Sequence, residues 1–444
     1  MTSFHVLISR NIISSPLLDA LLADGATRVV LLVPVEKQLF FLSEFLRPGL
    51  IIHPVAFAST RFEAALRYLA LAATDTHSLA IKRKTELGGR GALLVRLIGN
   101  RRWAQALIRQ VSRWLAPREP FGAIVRAYRP DAVFATDVQQ DADARLIEAA
   151  RDAGVPTIGM VRSWDNLTAK GLVRTIPDTL VVNNELVAEE AARYHGIPRG
   201  ALQVIGIPHY DRYGGAPPHA RADFAARLGL RPDERFVLYA PTGDRYLGQN
   251  DLDGFVIRLL ADALPAGWRI VVRLPPSDSM RIAADLPPAA LVHRPGRQLG
   301  TGKGFKHNEL TLEDDEVLRD SLAFAEVVVG GPSTILIDAA VYDTPAIAIA
   351  FDPTPNRPYY ESIRRYYDYD HFASLRAAGG IRFAESPEEL RKWIGRYCSD
   401  PELDRAGRAR IVTQEAWRLD GGASARLAKI LGARSRLAVM NKNE

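Results

Sequence analysis

Two series of short apolar runs alternating with helical patterns, separated by one Gly- and Pro-rich break, set what this chain can fold into. In the first series strands are expected at residues 4–8, 28–33, 50–57, 131–136, 155–161, 179–182 and 202–205. Helical patterns at 15–23, 39–46, 141–153 and 185–195 lie among them. Residues 59–117 read as a mostly helical insertion. Strands that alternate with helices pair in parallel, because a helical crossover carries the chain back to the same edge of the sheet. The pattern stops at Tyr213-Gly214-Gly215-Ala216-Pro217-Pro218-His219, as at a linker or hinge. It resumes with a helix at 223–228, a strand at 236–240, a helix at 254–263 and a strand at 269–274. After a variable region comes the unit 326–352, and then a largely helical stretch at 388–431. The expectation is an α/β chain with two doubly wound, Rossmann-like domains, 1–213 and 214–415, followed by a C-terminal helix and tail, 416–444. A length of 444 residues also suits two domains better than one.

The segment 326–352 is the most informative single unit. It reads as a buried strand, a tight Gly330-Gly331-Pro332 turn, a helix opening at Ser333-Thr334, and a second buried strand from Pro345. The glycines allow close backbone approach by a ligand. Ser333 or Thr334 is expected to cap the helix, whose free N–H groups and dipole suit a phosphate. The bland alternative is a strand–turn–helix unit that binds nothing.

Ligands of doubly wound sheets sit outside the carboxyl ends of the strands, and two such domains place them in a cleft. The loops just after strands are therefore the candidates. In the first half these are Ser9-Arg10-Asn11, then Asp137 and Gln139, then Arg162-Ser163-Trp164-Asp165-Asn166-Leu167-Thr168-Ala169-Lys170-Gly171. Asp165, with Asp137 second, is the candidate general base, although a carboxylate at such a place can also cap a short helix. Arg10, Ser163, Trp164, Asn166 and Lys170 are candidate acceptor contacts. In the second half Thr242 and Gly243 follow a strand with Asp244 and Arg245, and Arg273 ends the next one. Arg273 suits either a phosphate or a structural salt bridge.

Gly300-Thr301-Gly302-Lys303-Gly304 is basic but lacks the Walker spacing, and no GxGxxG follows a strand. Asp251-Leu252-Asp253 and Asp368-Tyr369-Asp370 match a carboxylate triplet that is common by chance, and no HxxxH-type pair exists, so no metal is expected. His195 reads as a helix-end residue where a cation would suit the dipole. The lone cysteine, Cys398, excludes an internal disulfide. No apolar run is long enough to span a bilayer and the N-terminus lacks a signal-peptide pattern, so a cytoplasmic protein is expected. Net charge is a mild +6, but 82–118 is rich in Arg and Lys against the single acid Glu86, with Leu, Ile and Trp interleaved. That stretch suits either an anionic membrane surface or a core helix with a solvated basic face. No nucleic-acid recognition motif is present.

Several of these residues resemble a family. Gly206-Ile207-Pro208-His209-Tyr210-Asp211 and Tyr239-Ala240-Pro241-Thr242 resemble segments of CDP-glycerol glycerophosphotransferase-like proteins. So does Gly331-Pro332-Ser333-Thr334 with Asp338, Thr344-Pro345 and Phe351-Asp352. Residues 163–171 are similar to a segment of surface-carbohydrate glycosyltransferases. The resemblance covers about 155–425 and implies a GT-B fold. The donor would lie on the second domain (Thr242, Gly243, Arg273, Gly330, Gly331, Pro332, Ser333, Thr334, Asp338) and the acceptor on the first. Where teichoic acid polymerases carry a basic residue and His-Pro, this chain has Arg273-Leu274-Pro275-Pro276. The absent His points away from glycerol-phosphate transfer and toward a nucleotide-sugar donor. The expected function is transfer from a nucleotide-sugar, without metal or other cofactor, to a surface glycan or lipid-linked acceptor. Polyol-phosphate transfer, a nucleotide-sugar 2-epimerase and a non-catalytic glycan-assembly protein are the alternatives.

Overall fold

The computed structural model describes residues 1–86, 91–244, 247, 251–276, 285–299 and 307–442, the last nine as backbone only. The chain forms two compact units, Met1–Asp211 with Trp417–Glu444, and Arg212–Ala416.

In the first unit β1 (Val29–Pro34) pairs in parallel with β2 (Leu50–Val55). β3 (Val133–Ala135), β4 (Thr157–Met160), β5 (Thr179–Val182) and β6 (Leu202–Val204) form a parallel sheet in that order. Residues 1–3 join the two sheets. The Ser3 N–H donates to the Leu32 carbonyl at 2.8 Å, and the Thr2 N–H donates to the Phe134 carbonyl at 3.3 Å. The order across the unit is thus β2, β1, residues 1–3, β3, β4, β5, β6, with the earliest segment in the middle and later ones added outward on both sides. The strand expected at 4–8 is absent. Val6–Ile8 is helical and continues as a π-helix, Ser9–Ile13, and His5 Nδ1 caps it by accepting the Leu7 N–H at 3.1 Å. A short apolar run is equally compatible with a strand and with a buried helix, and here the cap decides.

The expected helical insertion is present as Arg61–Ala72, His77–Glu86, Ala92–Ile98 and Arg102–Leu115. A buried two-pronged pair ties it to the sheet layer: Arg145 donates to Glu63 from Nε at 2.7 Å and Nη2 at 2.6 Å. The tail returns to this unit as the helix Ala423–Lys442. Asp211 caps it, accepting the Ala423 N–H at 2.8 Å and the Ser424 N–H at 2.7 Å. Gly206, at φ +86°, leaves room for it, since a Cβ there would stand 3.3 Å from the Ala423 Cβ. The Gly206–Asp211 motif therefore fastens the tail.

The second unit has one parallel sheet built from β7 (Phe236–Ala240), β8 (Arg269–Arg273), β9 (Ala290–His293), β12 (Val327–Gly330), β13 (Ala346–Ile349) and β14 (Ile381–Ala384). Their order is β14, β13, β12, β7, β8, β9. A small antiparallel pair, β10 (Arg297–Gln298) and β11 (Asn308–Glu309), stands apart. β7, β12 and β13 are buried throughout, which is why their sequences are continuous apolar runs rather than alternating ones. β9 and β14 are mixed in polarity and lie at the two edges, and neither is evident in the sequence.

Near the end of this unit Glu415 is buried, its carboxyl accepts a hydrogen bond from Ser374 Oγ, and burial pushes it up to about 7. A carboxyl raised on folding binds its proton more tightly in the folded chain, so its contribution is complete below the ordinary carboxylate range of about 4.3 and fades as pH rises through the folded value. Stability of the second unit is therefore expected to fall between pH 5 and pH 8. Glu415→Gln should flatten that slope, as read by denaturant midpoints at the two pH values.

Candidate functional site

All strands of a parallel sheet end on one edge, and a ligand crevice forms where the chain order reverses. In the second unit that point lies between β7 and β12. The loop after β7 supplies Thr242 and Gly243, and the loop after β12 supplies Gly331, Pro332, Ser333 and Thr334. The two loops touch. The Gly331 N–H donates to the Ala240 carbonyl at 3.3 Å, and a Cβ on Gly331 would stand 2.4 Å from Thr242 Oγ1 and 3.1 Å from Thr242 Cα. At Gly330, the last residue of β12, a Cβ would make only ordinary contact with Ala240, at 3.4 Å from its carbonyl oxygen.

Asp253 holds the β7 loop from behind. Its carboxylate accepts the Thr242 N–H at 2.8 Å, the Gly243 N–H at 3.0 Å and the Tyr239 hydroxyl at 2.6 Å. Burial and Asp253 push the Tyr239 phenol well above its usual range, so it stays a donor. Sequence reading missed this role. The signal was there in a buried acid between Leu252 and the apolar run from Phe255, at the start of the Leu252–Ala263 helix. Asp251 pairs with Arg357 at 2.8 Å, and Asp368 accepts from the Tyr359 hydroxyl at 2.6 Å, so each triplet has structural partners. Among the described residues no group of three or more His, Cys, Asp or Glu side chains is placed to hold a metal ion.

The helix after the β12 turn is Ile335–Val341, with Thr334 at its N-cap. The expected cap bond is not made by Thr334, and Ser333 Oγ accepts the Ile335 N–H only at a long 3.4 Å. Ser333 is exposed, and Asp338 is buried, as is every residue of this helix. Arg273 ends β8, next to β7. Its Nη1 lies 3.1 Å from His293 Nδ1, and Nη2 donates to the Asp314 carbonyl at 2.9 Å. Burial and the Arg273 charge push His293 down to about 4, so this imidazole is neutral and accepts. Arg273 is thus already bonded within its unit. Arg245 and the 300–306 loop lie outside the described residues.

The first unit reverses order between residues 1–3 and β3. The Asp137 carboxylate, just beyond β3, is buried, accepting Arg162 Nε at 2.7 Å and Asn166 Nδ2 at 3.2 Å. Burial works to raise its pKa, but the Arg162 and Lys170 charges outweigh it and hold the group below the usual carboxylate range. That makes Asp137 a weak base and a firm anchor. Asp165 lies half-buried 3.2 Å from Lys170 Nζ, which also donates to Asn166 Oδ1 at 2.5 Å. Asp165, Asn166 and Lys170 therefore come together with Asp137. Ser163 joins them through its carbonyl, which accepts the Asn166 N–H at 3.1 Å, while Trp164 is half-buried in the same loop.

His5 belongs to the same neighbourhood and was missed because its segment reads as strand. Burial and the charges of Arg162, Lys170 and Lys37 push it down to about 3. Arg162 was also missed as a site residue, although its place directly after a strand was the clue. Asp143, beside Asp137, is pushed up to about 7 by burial and by that neighbour's charge. Arg10 is placed elsewhere: its charge acts on buried His209, and its Nε donates to Asn11. His195 is no helix-end cation. It is fully buried, its Nδ1 accepts the Val173 N–H at 3.1 Å and its Nε2 lies 2.9 Å from the Leu167 carbonyl, and burial pushes it down to about 4. It braces the 163–171 loop as a neutral ring.

No protein-family model matches the chain, and no curated protein matches it either. Solved structures do. S. aureus MnaA, solved with UDP, gives a TM-score of 0.56 at 11% identity over 96% of this chain and 93% of that one. A putative UDP-N-acetylglucosamine 2-epimerase from Listeria monocytogenes gives 0.54 at 12% identity over 96% and 94%. The glycotransferase of kitacinnamycin gives 0.52 at 14% identity over 98% of both chains. At such identities the likeness shows the fold alone, and the chain has the GT-B fold: two parallel, doubly wound α/β units with a helical C-terminus.

Proposed function

We propose that this chain is an enzyme acting on a nucleotide-sugar, and that it transfers the sugar to a surface glycan or lipid-linked acceptor without a metal. The observation that carries the reading is the contact between the Thr242–Gly243 and Gly331–Thr334 loops at the reversal of the second sheet. The donor diphosphate would lie against the backbone of these loops, with the Thr242, Ser333 and Thr334 hydroxyls as further donors and the Arg273 charge at the end of the neighbouring strand. Fixed donors of this kind stabilise the charge that develops on the leaving nucleotide, the role a metal fills elsewhere. On the first unit Asp165 would take the acceptor proton while Asp137, through Arg162 and Asn166, keeps the loop in place. The acceptor is the reason to expect work at a cell envelope, on the cytoplasmic side.

A nucleotide-sugar 2-epimerase is the second reading, favoured by the likeness to the Listeria protein of that name. It needs no acceptor. Polyol-phosphate transfer on the same fold would call for a cytidine nucleotide.

The test is a thermal-shift series with UDP, GDP, CDP and dTDP, each with and without EDTA. A ligand that binds only the folded chain raises the melting temperature by mass action. One nucleotide is expected to do so, with no effect of EDTA. The matching sugar nucleotide, incubated alone and followed by NMR, then separates the readings: inversion at C2 means epimerase, an unchanged sugar means transferase. No shift with any nucleotide rejects both.

A further inference from the structure

The helical insertion of the first unit is built inside out. On Arg102–Leu115 the packed side is Ala104, Gln105, Ile108 and Ser112, of which Ile108 alone is large and apolar, and Gln105 Nε2 donates to the Tyr194 carbonyl at 2.8 Å. The large apolar residues point the other way: Trp103, Leu107 and Trp114, at i, i+4 and i+11, are 62%, 56% and 71% exposed. The preceding helix, Ala92–Ile98, repeats this with Leu93 and Leu97 exposed and Val95 buried. Both helices pack on Arg61–Ala72. A core helix with a solvated basic face would show the reverse polarity.

The charge on this surface is also sorted. Arg109 is turned inward, its Nε donating to the Val173 carbonyl at 3.0 Å and its Nη2 to the His195 carbonyl at 2.6 Å, while Arg118 pairs with Asp152 at 2.7 Å. Arg96, Arg101 and Arg113 are exposed and have no acidic partner among the described residues. Exposed Trp and Leu interleaved with unpaired Arg match an interface where apolar side chains enter the headgroup boundary and cations meet anionic lipid. Among the described residues no helix is long and apolar enough to cross a membrane. We infer that the outward face of helices 92–98 and 102–115 docks the protein on an anionic phospholipid surface, lying on the bilayer. A second copy of the chain is a poorer occupant, because a symmetric contact would set these arginines against one another. The inference goes beyond the nucleotide reading and does not depend on it.

The test is co-sedimentation of the full chain with phosphatidylcholine vesicles, with and without phosphatidylglycerol. Binding is expected only with the anionic lipid and should weaken as salt rises. At about fivefold per surface cation, R96S/R101S/R113S should bind roughly a hundredfold more weakly. W103S/L107S/W114S should lose binding with little change in melting temperature, because more than half of each residue is exposed. Failure of the wild type to bind anionic vesicles, or undiminished binding by the apolar triple variant, overturns the inference. So does a wild-type dimer that the apolar variant dissociates, if vesicles do not compete for it.

Discussion

Arg162→Ala is expected to destabilise the first unit by about 3–5 kcal/mol, among the largest single losses available in this chain, because it strands a buried carboxylate. Asp137 would lose its 2.7 Å charged partner and keep the Asn166 amide, long 3.4 Å bonds from the Gln139 N–H and Gln140 Nε2, and the more distant Lys170 charge. An uncompensated buried charge costs more than the pair contributes. The sign with pH follows from the lowered pKa of Asp137 in the intact protein. That pair contributes above the ordinary carboxylate range, about 3.9, and its contribution is lost as pH falls through the lower, folded value. In the variant Asp137 protonates more readily, so the gap between the two proteins should narrow from pH 7 to pH 4.5. Denaturant unfolding at both pH values measures the gap, and hydrogen exchange along β3 and β4 assigns it to this unit. Asp137→Asn combined with Arg162→Met should recover much of the loss. A pH-independent loss would mean that Arg162 matters for packing alone.

Gly331→Ala is expected to abolish most activity while costing the fold little. The added methyl would meet Thr242 at its Cα, 3.1 Å away, as well as at Oγ1, so rotating the Thr242 side chain relieves only part of the clash. Thr242 cannot retreat freely, because Asp253 holds the N–H groups of both Thr242 and Gly243. The β12 turn must therefore move outward by a few tenths of an ångström to an ångström. A shift of that size in a positioning loop costs about 10²-fold in turnover, whereas overpacking costs about 1–3 kcal/mol of stability. Steady-state kinetics with the sugar nucleotide identified by thermal shift, beside a denaturant curve, separate the two effects. Thr242→Ala added to Gly331→Ala should return part of the activity. Wild-type turnover in the single variant would remove these loops from the site.

Much of the second unit was legible because its central strands are buried on both faces and carry unbroken apolar runs, as at 236–240 and 327–330. The two touching loops of that unit were legible for a related reason: glycine beside a strand end is a conspicuous departure from local propensity. What escaped was set by tertiary contacts. Residues 1–3 do the work of a central strand with only three residues, less than any periodicity can register. Asp253 and Arg162 have roles defined by what lies across the sheet rather than along the chain. The orientation of 102–115 also escaped, since a mixed Arg, Trp and Leu pattern reads alike whichever side faces inward.

The returning tail has a consequence for the order in which the protein is made. Because Asp211 and Gly206 receive the helix Ala423–Lys442, the second unit is one uninterrupted stretch, whereas the first is split around it. A ribosome releases Arg212–Ala416 whole before the last piece of the first unit leaves the tunnel, and domains tend to fold as they emerge. The unit that is begun first is therefore completed last. Until then the exposed N–H groups at the start of the tail, the open Asp211 carboxylate and the groove beside Gly206 belong to an unfinished body. A chain cut short near residue 420 would leave the second unit intact and the first permanently open.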